Sequence, residues 1–133
     1  MVVARTRAAL GTLDANAVAR VGLGAMLVLA GVHKLLDPVS WAAYVVAWLE
    51  PLLIVTPVQF MLVNGVLELG FGAALVADRY TTVAATVAAV SLAATTLYLL
   101  VVGLTQGGVF LDVMVRDVGL TALALAVLVQ SVE

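Results

Sequence analysis

The chain has 133 residues, 65% of them hydrophobic and 11% charged, with a net charge of −2 at pH 7 and a mean hydropathy of +1.22. An apolar fraction this far above that of a soluble domain marks a membrane protein and leaves no room for a separate soluble domain. With no basic patch a nucleic-acid binder is excluded, and with no cysteine so are a thiol relay, an iron–sulfur cluster and a c-type haem.

A spanning helix needs about 20 mainly apolar residues, and the chain offers four such runs, at 17–36, 57–77, 81–104 and about 113–131. The expected fold is an all-α membrane protein, an antiparallel four-transmembrane-helix bundle that takes up residues 1–133 as one domain. Arg5 and Arg7 precede the first run as they would in a secretory signal. That run is too long, however, and ends in His33-Lys34 instead of a small-residue cleavage site, so it is expected to be retained. Along it, Arg20, Gly24, Leu27, Gly31 and Lys34 follow one helical stripe with a cation at each end.

The segment "DPVSWAAYVVAWLEP" follows. Asp37 is placed to cap a helix opened by Pro38, and Pro51 closes it, which predicts a short interfacial helix over 38–49 between spans one and two. Trp41, Tyr44 and Trp48 recur at i, i+3 and i+7, so their rings share a face. Anchoring at the headgroup level is the expected role, and lining a binding groove is the alternative.

Thr56-Pro57 repeats the cap-plus-proline pattern and opens the second span. There Met61, Asn64, Glu68, Gly72 and Leu75 line one face. A lone ionised group at the bilayer centre costs at least ~2.5 kcal/mol, so Glu68 needs a partner or a proton. Counted from the cytoplasmic ends, Arg20 lies about 5 Å deep and Glu68 about 13 Å. A long guanidinium stem can cover that gap. Arg20 is therefore the expected counter-ion of Glu68, as a lock between spans or as a functional site.

"ADRY" reads as a tight turn into the third span. On that span Ser91, Thr95 and Tyr98 are placed to hydrogen-bond across the bundle, while Ala84 and Ala88 permit close approach, as do Gly22, Gly24, Gly65, Gly70 and Gly72 elsewhere. "TQGGVFLD" leads to the fourth span, with Asp112 as its expected N-cap. Asp112 and Arg116 stand at i, i+4 in the favourable order for an ion pair. Asp117 points about 100° away and has His33 and Lys34 at its membrane level. The outer leaflet thus holds a cluster of His33, Lys34, Asp112, Arg116 and Asp117. It reads as a satisfied polar network or as a pocket for a polar headgroup or small anion. His33 and the scattered carboxylates lack metal-ligand spacing, so no metal site is expected.

The segments "RVGLGAMLVLAGVHKLLDP", "NGVLELGFGAALVADR" and "RDVGLTALALAVL" together resemble the DoxX family of small four-helix membrane proteins. The family's recurrent positions fall here on Arg20, Gly31, Lys34, Glu68, Arg116 and Asp117. The family takes its name from a subunit associated with thiosulfate:quinone oxidoreductase. The resemblance therefore implies an accessory or quinone-interacting subunit of a membrane oxidoreductase, with no intrinsic cofactor and with the outer cluster and aromatic helix forming the headgroup site. The alternative is a non-enzymatic bundle that binds a lipid, a small solute or a partner protein. A homo-oligomer is compatible with either, and many family members have no assigned activity.

Arg5, Arg7, Arg20 and Arg79 fall on one side of the bundle, and Lys34 and Arg116 on the other together with Asp37, Glu50 and Asp112. The arginine-rich side is expected to be cytoplasmic, with both termini inside the cell membrane. Cysteine-labelling in intact cells should accordingly find positions 40 and 107 accessible from outside, and position 79 and both termini protected. An accessible C-terminus would contradict the four-span reading.

Overall fold

The computed structural model describes every residue, Met1–Glu133, and is built of helices and turns. In chain order these are α1 (Val2–Gly11), α2 (Ala15–Leu36), α3 (Pro38–Ala42), a 3₁₀ turn at Glu50–Leu52, α4 (Pro57–Val76), α5 (Thr81–Gln106) and α6 (Val109–Val132). Helices α2, α4 and α5 are long and apolar enough to cross a membrane, and the chain is a membrane protein. Helix α6 runs along α5 and carries Asp112, Arg116 and Asp117 in its first half.

Side-chain caps set most boundaries. Asp14 accepts from the backbone N–H groups of Asn16 (2.9 Å) and Ala17 (3.3 Å) and so starts α2. Thr56 and Gln59 form a reciprocal capping box ahead of Pro57, the first residue of α4. Asp37 accepts from the Ser40 hydroxyl (2.6 Å) and the Ser40 N–H (3.3 Å). These two bonds, the hydroxyl first, hold its carboxyl below the ordinary value of 3.8, against a smaller opposing effect of burial. The cap is thus fully present above that value and is lost as pH falls through the lowered one.

Three boundaries differ from expectation. Helix α1, not foreseen in the sequence, is too short to show periodicity and buries no residue. Helix α6 begins earlier than expected, at Val109. Gly108, with φ +69, occupies the N-cap position, and Asp112 lies in the first turn instead of capping it. The interfacial helix stops at Ala42, well short of residue 49. Its continuation is held by Tyr98, whose hydroxyl donates to the Tyr44 carbonyl (2.6 Å) and accepts from the Val46 N–H (3.1 Å). A phenol from α5 thus serves backbone groups that a longer helix would have paired internally.

The long helices form two tight pairs, α2 with α4 and α5 with α6, which meet each other less extensively. In the first pair backbone meets backbone. A Cβ added at Gly24 would lie 2.7 Å from the Gly72 carbonyl, and one at Gly31 would lie 2.7 Å from that of Gly65. In the second pair Ala84, Ala85, Ala88 and Ala89 pack beside Ala124 and Val127. The outward faces carry Leu29, Leu97 and Leu104, all exposed, as suits helices whose outer solvent is lipid. Gly22 and Gly70, expected as contact residues, have nothing within reach of an added Cβ.

Gly31→Ala and Gly72→Ala should therefore destabilise the protein by about 1–3 kcal/mol, the usual cost of overpacking. Gly22→Ala and Gly70→Ala should be neutral or stabilising by up to ~1 kcal/mol, because alanine favours a helix interior. Thermal melting in detergent reads both pairs, and equal losses at all four positions would contradict the assigned interface.

Candidate binding cavity

The glycine contacts fix the register of α2 against α4. Gly31 lies opposite Gly65 and Gly24 opposite Gly72, so the helices are antiparallel and Arg20 falls opposite Val76. Glu68 then sits opposite Val28, eight residues or about 12 Å along the axis from Arg20 and six residues or about 9 Å from Lys34. Side-chain direction widens the difference. Each Cα–Cβ bond leans toward its own helix N-terminus, which tips Lys34 and Glu68 toward each other and tips Arg20 and Glu68 apart.

The structure accordingly does not bring Arg20 and Glu68 together. Lys34 is the partner of Glu68, with Nζ 2.5 Å from Oε1. Arg20 instead donates to the carbonyls of Leu75 (2.5 Å) and Val76 (3.1 Å) and lies 3.5 Å from Asp78. It thereby bonds carbonyls of the last turn of α4, where the Leu75 carbonyl also accepts from the Asp78 N–H, and its charge favours the negative end of that helix. Asp78 is held in a left-handed conformation (φ +53) by the tight turn and accepts from the Thr81 hydroxyl (2.6 Å). Around these residues lies an open polar hollow lined by Asp14, Asn16, Asp78 and Gln130.

At the other end, Lys34 and Glu68 face a cavity of about 210 Å³ between the two helix pairs. Its base is apolar, with Met26, Leu27, Phe71, Val87 and Leu120. Its upper wall is polar, with Lys34, Asn64 and Glu68 on one side and Ser91, Thr95, Arg116 and Asp117 on the other. Lys34 and Asp117 are only 6% and 5% exposed, so both charges are largely withdrawn from solvent and depend on nearby partners. Arg116 donates through Nε and Nη2 to Asp117 Oδ1, both at 3.2 Å. It does not pair with Asp112, which is exposed and stands apart from the cavity. The outer cluster thus loses Asp112 and gains Glu68. Glu68 Oε2 is buried with no hydrogen-bond partner.

The aromatic residues close the top. Trp41 lies over Lys34, with Nζ 4.5 Å from the ring centroid. Its Nε1–H donates to His33 Nδ1 at 2.7 Å, which requires that nitrogen to be unprotonated. Trp41 lines both the cavity and a shallower hollow above it that also contains His33, Tyr44, Arg116 and Asp117. Tyr44 meets Phe110 edge-on at 6.0 Å, and Trp48 packs against Tyr98 at 5.8 Å. The three aromatics therefore contact the bundle itself, Trp41 at the cavity, Tyr44 against Phe110 and Trp48 against Tyr98.

Compared with known proteins, the chain matches the family model described as DoxX over residues 15–103. No curated protein and no solved structure matches it. The matched region spans α2 to near the end of α5 and contains Arg20, Lys34, Trp41 and Glu68, while Arg116 and Asp117 lie beyond it.

Tyr98→Phe removes both bonds to the cover and should cost about 1–3 kcal/mol of stability. It should also speed hydrogen exchange at the amides of residues 44–49 selectively, because that stretch has little helix of its own. Unchanged exchange there would show that the cover is held by something else.

Proposed function

Because the chain belongs to the DoxX family, we propose that it is a four-span bundle of the cell membrane whose cavity binds a quinone-type ring, as an accessory subunit of a membrane oxidoreductase. The observation that carries this reading is the cavity's division into an apolar base and a polar upper wall. An amphipathic ring with oxygen substituents suits such a surface, since apolar area supplies affinity and a few polar groups fix orientation. A volume of about 210 Å³ suits a small substituted ring, given that an apolar cavity of roughly 150 Å³ holds benzene.

The charges favour a neutral ligand over a small anion. Two cations, Lys34 and Arg116, are matched by Glu68 and Asp117, so an anion entering the cavity gains no net attraction and meets two carboxylates. With no cysteine and one histidine, the chain would leave electron transfer to a partner and contribute the binding surface. A non-enzymatic bundle that binds a lipid or another small solute would use the same cavity. On the positive-inside pattern of the arginines, the cavity mouth would face outward and both termini the cytoplasm.

The test uses the purified protein in detergent with a short-chain benzoquinone. At a ligand concentration a hundred times the dissociation constant, binding should stabilise the fold by about 2.7 kcal/mol and raise the melting temperature. Ser91→Phe, which fills the cavity from α5, should abolish that rise. A melting temperature indifferent to the ring in the unaltered protein would remove the quinone reading, and stabilisation by lipid alone would favour the second.

A further inference from the structure

We infer that the cavity has its opening to lipid at the side, between α4 and α5, and hence that its ligand is a membrane-dissolved molecule: a ring seated in the cavity with a long apolar tail that leaves along this seam. This rests on the ring-binding reading above and goes beyond it by assigning the tail and its route.

A cavity of about 210 Å³ holds a small ring and has no room for a long chain besides. Most of its sides are closed to one. The upper wall carries Lys34, Glu68, Arg116 and Asp117, and an apolar chain laid across such charges would deprive them of polar surroundings. On the α2–α6 side Leu23, Leu27, Ala124 and Val127 are buried in a single packed cluster. Within each tight pair, α2 with α4 and α5 with α6, the helices lie in extensive contact.

The α4–α5 side differs. Leu67 and Phe71 line the cavity and also line an apolar groove on the outer surface of the seam, so one layer of side chains separates the two spaces. Leu67 is 52% exposed, and a side chain exposed to that degree changes rotamer without any movement of the helices. From there the groove runs toward the α4–α5 turn, past Gly70 and Ala74 on one helix and Val83 and Ala84 on the other. From Val66 to Ala74 it follows α4 for eight residues, or about 12 Å. Small residues make it: a Cβ added at Gly70 would meet nothing. A tail lying there exchanges one apolar surrounding for another, so it changes the affinity of a ligand already in the bilayer little. What the groove decides is whether a tailed ring is admitted at all.

Binding of two benzoquinones that differ only in a decyl tail tests this on the full chain in nanodiscs, with ligand concentrations referred to the lipid phase. Gly70→Trp puts an indole in the groove, and because a helical side chain leans over the preceding turn, it covers Val66 and Leu67 at the cavity wall. Leu29→Trp puts the same bulk on an exposed position of α2. Gly70→Trp should weaken the decyl ring by at least about tenfold, as a steric clash does, and leave the tailless ring bound as before, which also shows that the variant folds. Leu29→Trp should change neither. Equal weakening of both rings by Gly70→Trp, or of neither, would overturn the inference and leave the ring-binding reading standing. So would an unaltered chain that holds the decyl ring at least about tenfold more weakly than the tailless one, or a dimer of the chain that Gly70→Trp dissociates without altering the binding of either ring. Binding of neither ring by the unaltered chain would remove both readings. A measurement without substitution stands beside this: a decyl tail carrying a diazirine at mid-chain should label the chain within residues 66–74 and 80–84, and excess tailless ring should suppress that labelling. Suppressible labelling of α2 or α6 instead would overturn the route.

Discussion

The close approach of α2 and α4 is the constraint on which the rest of the structure depends. At Gly24, Gly31, Gly65 and Gly72 the two backbones come so near that an added Cβ would lie 3.0 Å or less from a carbonyl oxygen across the interface. Small residues at these points let helices associate where lipid supplies no hydrophobic drive. They also allow one register only, because a shift of a single residue would put a side chain where a glycine must be. From that register follow the reach of Arg20 to the end of α4, the reach of Lys34 to Glu68, and the placing of both Lys34 and Glu68 on the wall that faces α5 and α6.

The Lys34–Glu68 pair is better understood as a device of position than as a source of stability. Taking two charges out of water costs about as much as their attraction returns, whereas removing one partner leaves a charge stranded. Within the cavity the pair holds one carboxylate oxygen in place and leaves the other unpartnered. Arg116 and Asp117 repeat the arrangement from the opposite wall. Two matched pairs across an apolar base give a cavity with no net charge, with Trp41 over Lys34 and the segment after it held by Tyr98. Polar groups in a membrane span are expensive and usually functional.

Much of this was legible in the sequence because the signals are strong in apolar chains. The four long helices follow from run length, and the starts at Pro38 and Pro57 from cap-plus-proline spacing. The resemblance to DoxX is carried by the segments around Arg20 and Asn64, inside the matched region. What failed was the partner of Glu68. Depth counted from helix ends misplaces the two helices along each other; the true register ranks Lys34 ahead of Arg20, and the lean of each Cα–Cβ bond toward the helix N-terminus widens the difference. The glycine stripes held the missing register, since pairing Gly31 with Gly65 already sets Arg20 beyond reach of Glu68. The shortness of α3 was hidden for another reason: it depends on a phenol from α5, a contact separated by 54 residues that no local pattern records.

A double-mutant cycle on Lys34 and Glu68 tests the central claim most directly, with Arg20 and Glu68 as the parallel cycle. Lys34→Met and Glu68→Gln should each destabilise the protein by about 3–5 kcal/mol in denaturant or thermal unfolding, because each strands a buried charge. The double variant should lose far less than the sum of the two, a coupling of about 2 kcal/mol or more. Arg20→Met combined with Glu68→Gln should be additive within about 0.5 kcal/mol. Additivity at Lys34 and Glu68, or strong coupling between Arg20 and Glu68, would contradict the register from which the cavity is derived.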